Sequence, residues 1–273
     1  MGTSKIKARR WTSYAEAANS YTGLQRTSIS ELINIDQDYF TRLARREEIL
    51  RDAPELTARS TPAGADAVYE LYQFLVRVYL PRRYPTLFQI MPRVLQNMVS
   101  GQQYPLDSAS SATLALKSIA TLVDEDFIIL LPSSSSAEYE VHAYLICFAS
   151  GFNLPNLLNS NISELHKPLP GYAEKLQRSM NRWFQRLEVG TVVRRSNAHL
   201  RAELQHLHRL PKTKAIVLTF KTYMYPLSVL KQEGEGENLA QAIEGLSKGN
   251  VPEMSEYKGS HLWGRAVCNY LRS

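Results

Sequence analysis

The 273-residue chain carries 44% hydrophobic and 21% charged residues, a composition that suits a globular protein with one large core or two small ones. Its net charge of +6 comes from basic residues scattered along the sequence with no aromatic-interleaved basic tract, which argues against nucleic acid. Two cysteines, Cys147 and Cys268, make neither a disulfide framework nor a zinc site, no apolar run approaches a membrane span, and MGTSKIKARRW lacks a secretory apolar segment; a cytoplasmic protein with buried thiols and no membrane contact is expected.

Residues 1–27 read as irregular, anchored by Trp11, Tyr14, Tyr21 and Leu24. Ser30 is the expected cap of a short helix and Asp36 of the next, whose broad apolar face holds Tyr39, Phe40, Leu43, Ile49 and Leu50. The run Arg45 to Glu48 reads as a solvated face. After an Ala/Pro/Thr/Gly loop (52–64), Tyr69, Tyr72, Leu75, Val76 and Tyr79 predict a helix over 65–80. A second helix is predicted over 86–99, kinked at Pro92, and a third over 112–122.

Asp124, Glu125 and Asp126 precede a strand over 127–131. Alternation sends neighbouring strand side chains to opposite faces, so these acids are read as polar residues leading the strand rather than as one metal site. Ser133 to Ala137 is a hairpin loop before a strand over 139–148. A helix opens near Pro155 and stops by Lys167 ahead of Pro168 and Pro170. The next carries Tyr172, Leu176, Met180, Trp183 and Leu187 on one stripe. Strands follow over 191–196 and 214–223. Helices are predicted over 227–231, 239–246 and 257–271, separated by a Gly/Glu loop whose G-x-G is no nucleotide fingerprint, since no strand precedes it.

Strands, connecting helices and strands again predict an α+β fold in which helices pack on one antiparallel sheet. Arg194 and Arg195 should point to opposite faces, so at most one faces a bound anionic group. Glu203 and Gln205 share a face if their segment is extended. His206 and His208 do so as well, a weak pattern for a metal pair.

The ordered phrases Cys147-Phe148-x-Ser150-Gly151-Phe152, Leu165-His166-x-Pro168-Leu169-Pro170-Gly171-Tyr172, Lys175-Leu176, Arg182-x-Phe184, Leu187-Glu188-x-Gly190, Arg194-Arg195-x-Asn197, Arg209-Leu210-Pro211 and Ala215-Ile216-Val217 through Thr222-Tyr223-x-x-Pro226-Leu227 carry a specific likeness. Together they resemble the haem-dependent oxidative N-demethylase family. The resemblance implies a PAS-like antiparallel sheet wrapped by helices, haem b, and oxygen activation for the oxidation of an amine or related small molecule. It implies His166 as iron ligand, Arg194, Arg195 and Asn197 as cofactor-binding residues, and Glu203 and Gln205 as catalytic. Electrons would come from NADPH through a separate flavin and iron–sulfur partner, because the chain has no cysteine set for a cluster and no dinucleotide fingerprint. The chain is expected to be one domain over 1–273, with a helical wrapper (1–123), a PAS-like core (124–227) and C-terminal helices (228–273). It departs from the family pattern at Ala198, where an aromatic is usual, and at Leu204, where an arginine is usual. Both departures are expected to reshape the pocket. A tailoring oxygenase for a larger metabolite and a non-enzymatic haem- or ligand-binding sensor are the alternative readings.

Overall fold

The computed structural model describes residues 24–107, 110–149, 152–198, 202–248 and 251–273. The expected anchors Trp11, Tyr14 and Tyr21, the turn residues Ser150 and Gly151, and His199 lie outside them.

Seven antiparallel strands form the main sheet: β1 (Gln25–Thr27), β2 (Ala58–Ser60), β6 (Asp126–Pro132), β7 (Tyr139–Leu145), β8 (Val192–Ala198), β9 (Ala202–Arg209) and β10 (Ile216–Tyr223), in the order β1-β8-β9-β10-β6-β7-β2. The segment 202–209 is therefore extended, and Glu203 and Gln205 do share a face. The edge strands β1 and β2 lie in stretches read as irregular. Each is only three residues long, too short for alternation to show.

Alternation builds two cores, one on each face of the sheet. Phe127, Ile129, Ala143, Leu145 and Val217 pack under the helices Tyr39–Asp52, Ala65–Phe74 and Ala112–Leu122. Ile128, Leu130, Val193, Leu207, Ile216 and Phe220 pack on the other side with Ile162, Tyr172, Phe184 and Leu187 from the segment between β7 and β8. A register shift pairs Leu130 with Val141 but Ile129 with Ala143, skipping His142. That bulge lets one strand feed both cores, Val141 on one side and Ala143 on the other. A third cluster joins Leu230, Leu239, Ile243, Cys268 and Leu271 of the C-terminal helices.

Several sequence expectations are corrected. The helix predicted over 86–99 is a hairpin of β3 (Phe88–Met91) and β4 (Val94–Asn97), joined by β5 (Gln103–Pro105) in a separate three-stranded sheet. Pro92 sits in its turn beside Arg93, whose φ of 68° is a turn conformation. The first short helix is capped by Ser28, not Ser30. Asp38 occupies the position predicted for Asp36, whose carboxylate is committed to Arg42 and Lys221. The helix expected from Pro155 is a 3-10 turn (Leu154–Asn156) followed, after Asn159 at φ 64°, by a short helix Ile162–His166. Arg46 does not lie on a solvated face: it is fully buried.

Candidate functional site

His166 ends the helix Ile162–His166, which is fixed at its start by a capping box. Asn161 accepts from the Glu164 amide at 2.8 Å, and the Glu164 carboxylate accepts from the Asn161 amide at 2.9 Å. At its end, His166 Nδ1 lies 2.8 Å from the Ile162 carbonyl, which makes Nδ1 the protonated nitrogen. Nε2 has no hydrogen-bond partner among the described residues. The ring is stacked on Tyr172, with centroids 5.0 Å apart and planes 16° apart. Gly171, at φ 69°, turns the chain sharply so that Tyr172 can return to this position. Tyr172 then opens a π-helical turn (Tyr172–Leu176) that continues as the helix Gln177–Arg186. Burial lowers the His166 pKa, and nearby Arg195 lowers it further against the Ile162 carbonyl, so the imidazole is held neutral.

Arg195 therefore lies within electrostatic reach of His166. Its side chain keeps more than a third of its surface accessible, yet the surrounding protein desolvates it enough to lower its pKa, with Glu203 and Tyr257 acting against this. Exposed surface in an enclosing environment describes a cation lining a recess. Arg195 Nε donates to Gln205 Oε1 at 2.6 Å, and Gln205 Nε2 donates to Glu203 Oε2 at 2.8 Å. Glu203 is 3% exposed, and its other carboxyl oxygen, Oε1, is buried without a partner. Phe220, which lies opposite Gln205 in the register, packs on Phe152 at 5.7 Å.

The structure thus brings together His166, Arg195, Gln205 and Glu203. It does not bring Arg194 to them. Arg194 pairs with His206 in the register and lies near its ring on the opposite face, as alternation requires. Leu204 is likewise on that opposite face, between Glu203 and Gln205 along the strand and paired with Lys221, so it does not reshape the recess. Asn197 and Ala198 end β8, their backbones paired with Glu203 and Ala202. His206 and His208 share a buried face with Thr219. His206 Nε2, both His208 ring nitrogens and the Thr219 hydroxyl lack hydrogen-bond partners, and no third ligand joins the pair into a metal site among the described residues.

Sequence reasoning missed what lies at this end of the sheet. The acids leading β6 are all buried at 2% exposure, each with a different partner. Asp124 accepts from Arg42 at 2.5 Å and from Lys221 at 2.9 Å, and Glu125 accepts from the Asn34 amide at 2.7 Å. Asp126 pairs with Arg46 at 2.6 Å and accepts from the amides of Cys147 (3.0 Å) and Phe148 (2.9 Å). That last pair ties the exit of β7, which leads toward Phe152, to the helical wrapper. Burial pushes the Cys147 thiol up to about 12, the state of an inert structural cysteine. A surface cleft of about 310 Å³ lined by Ser163, Lys167, Tyr172 and Gln177 contains none of the assembled residues.

A single axial donor is all that a haem iron requires of the protein, and imidazole oriented by a backbone carbonyl is a standard form of it. His166 meets that requirement. Arg195 beside it suits an anionic propionate. The donor set therefore fits haem. These features define an α+β protein with one neutral, oriented imidazole and one arginine at a recess against an antiparallel sheet. Residues 23–200 and 196–268 match the family described as haem-dependent oxidative N-demethylase, alpha subunit-like, and the chain belongs to that family. No curated protein matches it. Among the described residues, no helix is long and apolar enough to cross a membrane.

Proposed function

We propose that this protein is a haem-dependent oxidoreductase of the N-demethylation type acting on an amine or a related small molecule. The observation that carries the reading is His166, with Nδ1 engaged by the Ile162 carbonyl, its ring stacked on Tyr172, and Nε2 open beside Arg195. In this reading His166 Nε2 holds the iron and Arg195 holds a propionate; the part of Asn197 is backbone placement of the β8 end. When bound, haem supplies the oxygen-activating redox chemistry. The chain's own contribution is binding and orientation. Glu203 Oε1, buried and without a partner, is a hydrogen-bond acceptor that suits the N–H of an amine. Gln205 fixes the other Glu203 oxygen and is itself fixed by Arg195, so the acceptor is oriented before substrate arrives. Phe152 and Phe220 give the recess an apolar wall that excludes water.

The order of the five long strands supports the PAS-like reading. Numbered by sequence from β6, they lie second, first, fifth, fourth, third, with the helical segment 154–186 between the second and third. We take 1–273 to act as one domain, with electrons arriving from a separate redox partner. The test is a visible spectrum after haem reconstitution. Wild type should show a histidine-ligated haem, and His166→Ala should lose that character and retain less haem until free imidazole is added. A colourless wild-type protein refutes the haem reading. An unchanged spectrum in His166→Ala, with loss in His199→Ala, His206→Ala or His208→Ala, moves the ligand elsewhere.

A further inference from the structure

Among the described residues, the buried polar atoms of the main sheet that lack a hydrogen-bond partner fall in three places. Those of His206, His208 and Thr219 lie on the face opposite the recess, and those of Asp124 and Glu125 lead β6. On the recess face there are two, Glu203 Oε1 and Thr222 Oγ1.

The register sets these two side by side. Thr222 pairs with Glu203, as Phe220 does with Gln205. Directly opposed residues of an antiparallel pair share a face, with Cβ atoms about 4.5–5.5 Å apart. Thr222 stands two residues beyond Phe220, whose ring packs on Phe152 in the recess wall, so it shares that face too. The two oxygens nevertheless do not bond to each other. Glu203 is not free to turn and close the gap: Gln205 Nε2 holds its other oxygen at 2.8 Å, and Gln205 is held by Arg195 at 2.6 Å. Thr222 is β-branched, which restricts its χ1 and fixes the direction of the hydroxyl. A carboxylate oxygen accepts, and a hydroxyl oxygen can accept as well. The recess therefore presents two fixed acceptors beside an apolar wall, and the protein itself serves neither.

We propose that Thr222 is a specificity-determining residue of the recess: its hydroxyl and Glu203 Oε1 together hold one substrate nitrogen, through two N–H bonds. The inference rests on the amine reading above and adds to it the number of N–H groups that the nitrogen must carry. A protonated nitrogen with two N–H groups serves both acceptors. One with a single N–H group leaves an acceptor buried and unpaired, and one with none leaves both. Such discrimination is steep, because the penalty falls on buried polar atoms of the site itself. The hydrocarbon of the same cation lies against Phe152 and Phe220. Water is the competing occupant of the two acceptors, and a site built only for water does not count N–H groups.

Calorimetry on the full haem-loaded chain tests this with two cyclic amines as probes. Protonated pyrrolidine carries two N–H groups and protonated N-methylpyrrolidine one. Wild type should bind pyrrolidine at least about tenfold more tightly than N-methylpyrrolidine. Thr222→Val keeps the shape and the β-branch, and should bring that ratio to about threefold or less by weakening pyrrolidine alone. Thr222→Ser returns a hydroxyl and should return the preference. A disturbance of the fold would weaken both amines together, so the ratio separates the hydroxyl's role from a structural one. An unchanged ratio in Thr222→Val overturns the role of Thr222 and leaves the amine reading standing. A wild type that binds neither amine overturns both. A chain that takes up no haem yet shows the expected ratios supports the two-point site and refutes the haem reading, so the failures are distinguishable.

Discussion

Acidification should unfold this protein through two histidines on the back of its sheet. His206 and His208 are 3% and 5% exposed, and burial, then Arg194 for the first and His206 for the second, pushes each pKa down to about 4. In the unfolded chain each returns to about 6.5, so between these values the unfolded state binds the extra proton and stability falls as pH falls. A gap of that size is worth about 3 kcal/mol per histidine by the acid end of the window. His166, also lowered, acts in the same direction.

Glu125 opposes them. Burial, then Asp124, raises its pKa to about 8 from an ordinary 4.5, so here the folded state holds the extra proton. Its contribution is complete below 4.5 and is lost as pH rises through 8. Two histidines outweigh one carboxyl below about 6.5, and from there to about 8 the carboxyl dominates, so stability should peak near pH 6.5 and fall on both sides; above about 8 Lys258, lowered to about 8 by burial, acts in the opposite direction to Glu125. His208→Leu removes one titrating ring and its two unpartnered nitrogens, and should flatten the acid limb almost completely between about pH 4.5 and 6.5, where the remaining His206 and Glu125 then oppose each other one for one. Glu125→Gln should flatten the alkaline limb. Urea unfolding from about pH 4.5 to about pH 8.5 measures both. A His208→Leu variant with the wild-type acid slope would refute the reasoning.

Two further outcomes are expected. Asp126→Ala leaves the fully buried Arg46 guanidinium uncompensated and removes the acceptor of the Cys147 and Phe148 amides, at a cost of about 3–5 kcal/mol, whereas Asp126→Leu combined with Arg46→Met should cost less; urea midpoints of the single and double variants decide this. Gly64→Ala would set a Cβ only 2.4 Å from the His142 carbonyl oxygen, backbone that must shift at the sheet edge, and should lower stability by about 1–3 kcal/mol in the same assay.

What the sequence made legible follows from the range of the forces involved. The 65–80 and 112–122 helices and the 214–223 strand are local patterns, and they appear in the structure within a few residues. The 86–99 segment failed because Pro92 was weighed as a helix kink. The buried Phe88, Leu95 and Asn97 instead follow the strand alternation of a hairpin turning at Pro92. Arg46 failed for the opposite reason. Nothing local marks it as buried, because its acceptors, Ala120 O at 3.0 Å, Glu125 O at 2.8 Å and Asp126, arrive from the far side of the wrapper.

At the site the same division holds. A helix stop at His166 is readable from Pro168 and Pro170, and the separation of Arg194 from Arg195 is readable from alternation. That alternation also removes Leu204 from the recess, because a residue between Glu203 and Gln205 on one strand must point away from both. The stacking of Tyr172 on His166 was not readable, since it depends on Gly171 at φ 69° and on the π turn behind it. A glycine with positive φ and a π turn act together only once the chain has folded back on the imidazole, so the support of the ring is set by backbone geometry that no hydrophobic spacing records.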